Sequence, residues 1–298
     1  MRYKSKGFLN GIFASVSYGT NPLFALPMYK LGLGANSVLF YRYFFAILIY
    51  GIYLKFFRKT SLKVSPKELC CIAFIGILFG FSSIALFEAF NYIDSGIACT
   101  ILFIYPVIVA LISGIFFKEK ISLTMVYSMM ITLCGIFILN GGINGHLNPK
   151  GISLVLLSAL AYAIYILLVK NLKPIKHLKY DKLSFYVMLF GLTVFIFNLK
   201  FCTQLQPMND IRLFLCSIAL AIFPTIISLE TINIAIRIIG PTTTSVLGAL
   251  EPLTAIFFGL LFFSEKLTLN NIFGIFLILS GVILLISKQS IHSSKNNP

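Results

Sequence analysis

A small set of residues recurs at one fixed distance along this chain. Pro106, the pair Glu119-Lys120 and Gly135 return as the same residue types, each 146 residues later, at Pro252, Glu265-Lys266 and Gly281. In both copies an apolar run leads into a short charged turn, and a second apolar run that contains the glycine follows. A repeat of this length, with its landmarks in the same order, predicts that the two halves of the chain are copies of one folding unit.

The apolar runs determine the environment of that unit. Of the 298 residues 58% are hydrophobic and 11% are charged, a balance that would give a water-soluble domain very large exposed apolar patches. A window of about 20 apolar residues is long enough to cross a bilayer core of about 30 Å. Ten such windows predict spans at 8–28, 36–56, 69–91, 96–117, 122–140, 151–170, 181–200, 211–236, 241–263 and 269–287. We therefore expect an all-α integral membrane protein with ten transmembrane helices.

The first apolar run belongs to the repeat, because Gly7 and Tyr18 have counterparts 144 residues later at Gly151 and Tyr162. It is therefore expected to be a membrane span and not a cleaved signal peptide. Residues 1–145 then form one five-span unit and residues 146–298 form the other, which ends in a short tail. Because five is an odd number, the two units must cross the membrane in opposite orientations, as inverted repeats do.

Basic residues indicate which side of the membrane each loop faces. On the ten-span map 18 of the 24 Lys and Arg residues lie on the side of the N-terminus, five lie on the other side, and Arg42 falls within a span. Positively charged loops stay in the cytoplasm. Both termini are therefore predicted to be cytoplasmic, in a multi-pass protein of the cell (inner) membrane. The same separation accounts for the net charge of +15 without nucleic acid as a partner.

Several motifs resemble those of a known family. Each half has a span that begins with small residues ("DSGIACTILFIYP" and "GPTTTSVLGALEP"), a proline in that span, an outgoing Glu-Lys pair and a final span that contains glycine. Together with "FYRYFFAIL" around Arg42, this order resembles the EamA-like ten-span carriers of the drug/metabolite transporter superfamily, from about residue 7 to residue 286. The resemblance implies a secondary carrier of small metabolites, often amino acids or their derivatives and often moved outward. It also implies a central cavity lined by spans one to four and six to nine.

Four ionisable residues fall within the predicted spans: Arg42, Glu88, Glu230 and Glu251. A charged side chain that faces lipid at mid-depth costs about 2.5–3.5 kcal/mol on insertion scales, so each is expected to face the bundle interior or a wet cavity. Arg42 could bind a substrate carboxylate or an internal Glu. Alternatively, its long stem could carry the guanidinium to the outer headgroups.

The acids also have two interpretations. They could couple transport to protons or bind a substrate ammonium group, or they could be neutral and merely hydrogen-bonded to a neighbouring helix. Glu88 with Asn91, and Glu230 with Asn233, are spaced three residues apart, which puts each pair on one face of a helix. Both acids and both amides are therefore candidate site residues.

The two mid-span prolines mark further candidates. Pro252 follows Glu251, as Pro106 follows Tyr105, and each proline should interrupt the hydrogen bonding of its helix. The side chains beside the prolines could line a cavity, or the kinks could merely shape packing. The remaining candidates carry hydroxyl, amide or aromatic groups: Tyr18, Asn21 and Tyr162. Aromatic residues make up 15% of the chain, so each Tyr could equally serve packing.

The sequence lacks the motifs that nucleotide binding, metal binding or enzyme catalysis would need. The sequence has no nucleotide-binding loop, no GxGxxG and no His cluster, and its six cysteines show no CxxC or Cys/His spacing. We therefore expect no cofactor, no metal site and no coupling to ATP hydrolysis. A membrane enzyme acting on a lipid-linked substrate would need paired acids or His at the interface. A passive channel would need a polar stripe along the length of a span.

The sequence thus predicts a secondary transporter, not an enzyme, that moves small polar metabolites by alternating access in export or exchange. A broad exporter of lipophilic cations is the alternative if the acids face an aromatic cavity. The expected partners are a small-molecule solute, membrane lipid and, as a coupling ion, protons. The chain could act as a monomer or as a homodimer.

Overall fold

The chain is almost entirely helical. The computed structural model describes residues 2–93, 95–119, 121–139, 148–262 and 268–295, and within these ranges all the regular structure is helix. Eight helical segments are long and apolar enough to cross a membrane, and Leu123–Leu139 is a shorter apolar helix. The predicted all-α integral membrane fold is therefore confirmed. The count of ten spans and their inverted repeat stay predictions.

Fourteen α-helices follow one another along the described residues. They are α1 (Arg2–Gly19), α2 (Asn21–Lys30), α3 (Ala35–Ile52), α4 (Pro66–Ala89), α5 (Ser95–Leu102), α6 (Tyr105–Phe117), α7 (Leu123–Leu139), α8 (Pro149–Asn171), α9 (Tyr180–Asn198), α10 (Ile211–Ala221), α11 (Ser228–Ile239), α12 (Pro241–Leu247), α13 (Leu250–Phe262) and α14 (Leu269–Lys295). Short π-helical turns continue α3 at Tyr53–Phe57 and join α10 to α11 at Ile222–Ile227. Lys120 and the second charged turn of the repeat, Glu265-Lys266, lie outside the described residues.

Three of the predicted spans are interrupted by a turn. The span at 8–28 is divided at Thr20, the span at 96–117 at residues 103–104, and the span at 241–263 at residues 248–249. In each case the second helix carries a proline within its first three residues, at Pro22, Pro106 and Pro252. Proline has no N–H to donate to the preceding turn, and its ring clashes with the carbonyl four residues earlier. The interruptions expected at the two repeat-related prolines are therefore present.

The two halves of the chain interleave. Helices of the first half pack on helices of the second half. Helix α4 packs on α8 and α9, α1 packs on α11 and α13, and α3 packs on α9 and α10. In the same way α6 contacts both α8 and α12. The largest cluster of buried apolar side chains accordingly draws on both halves, from Phe8 to Leu285. The core of the bundle therefore lies between the halves.

The last helices of the two halves, α7 and α14, form a closely packed pair. A Cβ on Gly135 would lie 2.8 Å from Ile278 Cγ1, and a Cβ on Gly281 would lie 2.7 Å from Thr132 Cγ2, so only glycine allows this approach. Ser128 Oγ donates to the carbonyl of Gly281 at 2.7 Å across the same contact. Large apolar side chains stay exposed along both helices, as contact with lipid requires.

The two ends of the bundle differ in charge. At one end, which we call the basic end, the loop between α3 and α4 meets the segment between α8 and α9, and Lys182 Nζ donates to the carbonyl of Lys63 at 2.8 Å. The basic residues in or beside these segments are Arg58, Lys59, Lys63, Lys67, Lys170, Lys173, Lys176, Lys179 and Lys182. At the opposite end the loop between α9 and α10 binds the loop between α2 and α3, where Gln206 Nε2 donates to the carbonyl of Gly32 at 3.2 Å.

Candidate functional site

Four of the predicted site residues meet in the middle of the bundle. The rings of Tyr105 and Tyr162 pack edge to face with their centroids 4.9 Å apart. Glu251 is close enough to Tyr18, Tyr105 and Tyr162 to interact electrostatically with each of them. The repeat relates Tyr18 to Tyr162 and Tyr105 to Glu251, so two related pairs of residues contribute to one site.

The interruptions of two spans touch each other at this site. Tyr105, the first residue of α6, donates from its hydroxyl to the carbonyl of Ser245 at 3.0 Å. Ser245 lies in the last turn of α12, and its carbonyl also accepts from the N–H of Gly248, in the turn that follows, at 3.2 Å. Gly248 leaves room for the tyrosine hydroxyl, because a Cβ there would overlap it. The hydroxyl of Tyr105 is therefore a second donor to this carbonyl, and it ties the start of α6 to the end of α12.

Glu251 lies deep within the bundle, in the first turn of α13. Its side chain is nonetheless partly exposed, as are those of Tyr18, Tyr162 and Asn21, which indicates a cleft that reaches the middle of the bundle. Gly19 allows α1 to approach the backbone of Glu251, since a Cβ on Gly19 would lie 2.5 Å from that carbonyl oxygen. Across the described part of the chain, the Glu251 carboxyl group forms neither a hydrogen bond nor an ion pair.

Arg42 is buried in α3 and bound to the second half of the chain. Its Nε donates to Thr225 Oγ1 at 2.6 Å, and its Nη2 donates to the carbonyl of Pro224 at 2.8 Å. The guanidinium lies over the ring of Tyr18, 5.4 Å from the ring centroid. The alternative in which Arg42 extends to the headgroups is therefore wrong, because its donors are used inside the bundle. Within the described ranges, no carboxylate forms an ion pair with it.

The partners of Arg42 lie in a π-helical turn that was not predicted from the sequence. Pro224 lies in the turn Ile222–Ile227 and cannot donate to the carbonyl of Leu220. The hydroxyl of Thr225 donates to that carbonyl instead, at 2.7 Å, and accepts from Arg42. Pro224 within the eighth predicted span was the available signal, because a proline inside a helix leaves backbone groups that need other partners.

Aromatic rings continue from Tyr162 into the core. Tyr165 and Phe79 have their ring centroids 4.9 Å apart, and Phe79 is 6.1 Å from Tyr162 and 6.3 Å from Tyr43. These rings give the centre of the bundle an apolar wall beside the carboxyl group of Glu251. No pattern in the sequence distinguished Phe79, which is one of 30 Phe residues.

Glu230 lies towards the basic end and does not join the central residues. The hydroxyl of Tyr50 donates to its Oε2 at 2.7 Å, and Arg58 Nη2 lies 3.7 Å from its Oε1. Both partners come from the end of α3 and the loop after it, so these contacts tie α11 to α3 near the basic end. For Glu230 the structure therefore favours the interpretation in which the acid is hydrogen-bonded to a neighbouring helix.

Asn233 is fully buried, and both its amide oxygen and its amide nitrogen form hydrogen bonds. Its Oδ1 accepts from the hydroxyl of Tyr165 at 2.7 Å, and its Nδ2 donates to Ser184 Oγ at 2.9 Å. Asn233 therefore connects α8, α9 and α11. It does not share the contacts of Glu230, although the two are three residues apart, and the pair does not act as one polar face.

Glu88 and Asn91 lie at the end of α4 and both are exposed. The helix ends at Ala89, so the predicted span at 69–91 reaches beyond it. Glu88 is close enough to Lys150, at the start of α8, for an electrostatic interaction. The expectation that Glu88 and Asn91 face the interior is therefore wrong, since they lie where the chain leaves the bundle.

The two parts of the ninth predicted span differ in burial. Every residue of α12 is buried, between the interruption and the basic end. In α13, on the other side of the interruption, Gly259 is the one described residue that is buried. The cleft at Glu251 is therefore closed towards the basic end by α12, whereas α13 lies at the outside of the bundle with apolar side chains such as Phe257 and Leu261 exposed.

The site offers groups for binding a solute. It combines one carboxyl group, tyrosine hydroxyls and aromatic rings with an arginine held behind Tyr18. Among the described residues, no three His, Cys, Asp or Glu side chains come together as a metal site would require. Hydrogen bonds, charge and ring stacking are the interactions that such a site can supply.

Known proteins with similar sequences and folds agree with this architecture. The chain is 22% identical to the uncharacterized transporter YcbK of Bacillus subtilis, over 95% of this chain and 94% of that protein. It is 25% identical to an uncharacterized transporter of Archaeoglobus fulgidus, over 76% of this chain and 81% of that one. A solved crystal structure matches with a TM-score of 0.79 and 17% identity, over 95% of this chain and 97% of its own, and this match shows the fold alone.

A family model gives the assignment. The model of the EamA-like transporter family matches the chain twice, over residues 5–141 and over residues 149–287, which together are nearly the whole chain. Transporter-named relatives, the apolar helices and the double match all indicate a membrane transporter and not an enzyme. The chain therefore belongs to the EamA-like transporter family.

Proposed function

We propose that this chain is a secondary transporter that moves small polar metabolites, amino acids or their derivatives among them, by alternating access in export or exchange. The observation that carries the proposal is the cleft at Glu251, where two interrupted spans meet. Interrupted helices near the middle of a bundle are a common way to build a solute site in secondary transporters, because their ends offer backbone groups and dipoles to the solute. The aromatic rings beside Glu251 supply apolar contact area.

An inverted repeat of five spans, 1–145 and 146–298, is supported by matched contacts between the halves. A Cβ on Gly7 would contact residues 238–239, and a Cβ on Gly151 would contact residues 92–93. The two glycines are 144 residues apart, and the two contacted segments are 146 residues apart. Each contact therefore has its counterpart in the other half, as a pseudo-two-fold axis requires.

Hydrogen bonds between the two halves also occur in repeat-related pairs. Ser82 Oγ donates to the carbonyl of Ser158 at 3.0 Å, and Ser228 Oγ donates to the carbonyl of Ala14 at 3.0 Å. The donors are 146 residues apart and the acceptors are 144 residues apart. The α7–α14 pair shows the same relation, since Gly135 faces Ile278 and Gly281 faces Thr132. Gly281 is 146 residues after Gly135, and Ile278 is 146 residues after Thr132.

Alternating access is supported by the unequal burial of the two ends. The buried α12 and the contacts of Glu230 with Tyr50 and Arg58 close the bundle towards the basic end. In a repeat related by an axis in the membrane plane, exchanging the conformations of the halves closes the opposite end and opens the basic end. The proposed transport cycle is this exchange, with Glu251 reached first from one side and then from the other.

We infer the orientation from the distribution of charge. The basic end carries most of the Lys and Arg residues of the loops, so it is assigned to the cytoplasm, together with both termini, in the cell (inner) membrane. Labelling of single cysteines tests the assignment. A cysteine at Lys176 should react with an impermeant reagent only after the cells are opened, and one at Asn209 should react in intact cells. Position 144, a further external site on the predicted map, lies outside the described residues.

A second candidate is export of lipophilic cations. One observation favours it, because the carboxyl group of Glu251 lies beside the rings of Tyr105 and Tyr162, and such rings attract cations. Protons are the proposed coupling ion in both cases, since an acid inside a membrane bundle is a common proton carrier. The buried Arg42 nearby argues against a solute that carries positive charge alone.

Counterflow in proteoliposomes tests the proposal. Purified protein is reconstituted, the vesicles are loaded with one unlabelled solute class at a time, and uptake of the labelled solute is followed. A carrier with alternating access should give transient accumulation of label that depends on the internal solute and saturates with concentration. Flux that is unsaturable and indifferent to internal solute would indicate a pore. Absence of flux for amino acids, other small metabolites and lipophilic cations alike would contradict a transporter of either kind.

A further inference from the structure

The two repeat-related interrupted spans are packed differently. Helix α12, which precedes the interruption of the second half, packs on α6, which follows the interruption of the first half. The repeat counterparts of α12 and α6 are α5 and α13, and within the described residues these two do not pack on each other in this way. The contact between α6 and α12 therefore has a counterpart in the sequence that this conformation does not use.

One hydrogen bond marks the contact that is made. The hydroxyl of Tyr105 in α6 donates to the carbonyl of Ser245 in α12 at 3.0 Å. The residue 146 positions after Tyr105 is Glu251, and the residue 146 positions before Ser245 is Cys99. Glu251 is already close enough to Cys99 to interact electrostatically with it. The counterpart of the observed bond would therefore run from the carboxyl group of Glu251 to the backbone carbonyl of Cys99.

The residues beside the two carbonyls suit donors of different size. A Cβ on Gly248 would overlap the hydroxyl of Tyr105, so the long tyrosine side chain requires a glycine there. The residue 146 positions before Gly248 is Leu102. A leucine at that place is compatible with the shorter side chain of Glu251, whose carboxyl group extends less far than a phenol ring. The unused contact therefore has the residues that a bond from Glu251 needs.

Burial also distinguishes the two contacts. Ser245 and Val246 in α12 are each 1% exposed. Their repeat counterparts in α5, Cys99 and Thr100, are partly exposed. The contact between α6 and α12 is thus closed, and the related place between α13 and α5 is open.

Only the neutral form of Glu251 can make the unused bond. A protonated carboxyl group has one O–H to donate, whereas an ionised carboxylate only accepts, as a backbone carbonyl does. Two acceptors cannot bond to each other. A carboxyl group without a partner in an apolar bundle is also more stable in its neutral form. Protonation therefore gives Glu251 the donor that the hydroxyl of Tyr105 always has.

We infer that Glu251 is a proton-dependent switch, through which the bond from Tyr105 to the Ser245 carbonyl is exchanged for a bond from neutral Glu251 to the Cys99 carbonyl. This inference rests on the proposed function and states how a proton regulates that same site. When Glu251 takes a proton from water in the cleft, α13 packs on α5, α12 is released from α6, and the basic end opens. When Glu251 loses the proton, its bond is lost and the conformation described above returns.

The other ionisable groups near Glu251 are expected to keep one charge state around neutral pH. Phenol and thiol groups are ordinarily neutral at pH 7, and a guanidinium group is charged. Helices α2 and α14 also pack on α13, and their titratable residues lie towards the C-terminal ends of those helices. The neighbouring groups are those of Tyr18 in α1, Arg42 in α3, Cys99 in α5, Tyr105 in α6 and Tyr162 in α8.

The accessibility of position 246 measures the exchange without any solute. Val246 is buried and its counterpart Thr100 is partly exposed, so the substitution Val246→Cys should report the opening of α12. It is made in the full-length protein after the six native cysteines are replaced by serine, which keeps the backbone carbonyl of residue 99. Proteoliposomes are labelled with a water-soluble thiol reagent from about pH 5 to about pH 9, a range that includes the titration of buried Glu residues.

Substitutions at position 251 separate the donor from the charge. Gln donates an N–H at every pH, and Met has a similar size without a donor. Because one hydrogen bond shifts an equilibrium by about fivefold, Glu251→Met should be labelled about fivefold more slowly than Glu251→Gln at every pH. The parent should match Glu251→Gln at low pH and approach Glu251→Met at high pH. Dividing each rate by that of Glu251→Gln at the same pH cancels the titration of the introduced thiol.

Two further variants complete the set. Tyr105→Phe removes the bond that holds the present conformation, so its labelling should be about fivefold faster than that of the parent. Glu88→Gln makes the same change as Glu251→Gln at an exposed position, and it should follow the parent at every pH. Melting temperatures of the purified variants show that each is folded. If Glu251→Met does not fold, the pH profile of the parent and the Tyr105→Phe variant still decide the result.

The outcomes separate the switch from the proposed function. Equal labelling of Glu251→Gln and Glu251→Met would overturn the switch, as would a ratio of parent to Glu251→Gln that does not change with pH. Unchanged labelling in Tyr105→Phe would do the same, because the observed bond would then not hold the present conformation. Counterflow that persists beside any of these results would leave the transporter proposal in place and exclude only the switch.

Discussion

Single polar residues inside this bundle divide into two groups. Asn233, Ser82 and Thr225 have hydrogen-bond partners on neighbouring helices and thereby fix how those helices pack. Glu251 differs, because it is deep in the bundle and has no partner within the described chain. A buried polar group without a partner is costly to the fold, so its presence beside a cleft favours a role in binding. Glu230 has partners and belongs to the first group.

Replacing each acid by Gln should separate these roles. Gln keeps the shape and the hydrogen-bonding capacity of Glu but cannot titrate. Glu251→Gln should abolish the response of solute flux to an imposed pH gradient in proteoliposomes, because the proton carrier is gone. Glu230→Gln keeps an acceptor for Tyr50 and loses the charge opposite Arg58. It should change the rate by less than about tenfold, as expected for one exposed ion pair, and should still respond to the gradient.

The comparison is informative in either direction. A Glu251→Gln variant that responds to the gradient as the parent does would exclude this acid as the proton carrier and favour proton-independent exchange. Loss of the response in Glu230→Gln alone would assign the coupling to the basic end.

The repeat made part of the site predictable from the sequence. Tyr18 with Tyr162 and Tyr105 with Glu251 are related pairs, and the structure brings all four together. The contact between Arg42 and the π-helical turn could not be predicted, because it joins Arg42 to the hydroxyl of Thr225, 183 positions along the chain, and to the carbonyl of Pro224. Glu88 was assigned wrongly because apolar composition does not show where a helix ends.

Proline-linked interruptions are the main feature of individual helices here. Two of them, before Pro106 and Pro252, meet through the bond from Tyr105 to Ser245, which ties one interrupted span to the other. The turn at Gly240, with a φ of 89°, joins α11 directly to α12 and fixes where the ninth predicted span begins.

Closing one interruption should impair transport. Pro252→Ala supplies an N–H four residues after the carbonyl of Gly248 and removes the ring that prevents a continuous helix. We expect the initial rate of solute flux per amount of protein to fall by about tenfold or more, while the amount of protein in the membrane falls by much less. Flux assays and immunoblots on the same vesicles provide both quantities.

Pro66→Ala is the matched control for this change. Pro66 is exposed at the start of α4, away from the cleft, where the first turn of a helix tolerates either residue. Its flux should equal that of the parent. Unchanged flux in Pro252→Ala as well would show that the interruption serves packing alone.

Hydropathy predicted the helices better than their interruptions. The spans at 96–117 and 241–263 are apolar throughout, so a window average crosses the turns at residues 103–104 and 248–249 without a change. The prolines gave the approximate position of each turn. The π-helical turns had no comparable signal, apart from Pro224, because a π turn uses the same apolar residues as an α-helix.

The molecule as a whole is built so that its two halves share one core. Contacts between the halves occur in related pairs, such as Ser82 with Ser158 and Ser228 with Ala14. The burial of the two ends nevertheless differs, since α12 is enclosed and α13 is largely open. We propose that the bundle has a second conformation of similar packing in which the two ends exchange roles.

Cysteine accessibility on both sides of the interruption in the ninth predicted span is the measurement that would detect this second conformation. Thr244 is buried in α12, and Thr254 is partly exposed in α13. In a background without the native cysteines, Thr244→Cys and Thr254→Cys are labelled in proteoliposomes with a water-soluble thiol reagent, with and without saturating solute on both sides. We expect Thr254→Cys to react faster than Thr244→Cys without solute, and we expect its rate to fall during exchange while that of Thr244→Cys rises. Solute exchange with the two rates unchanged, or changed in the same direction, would contradict alternating access.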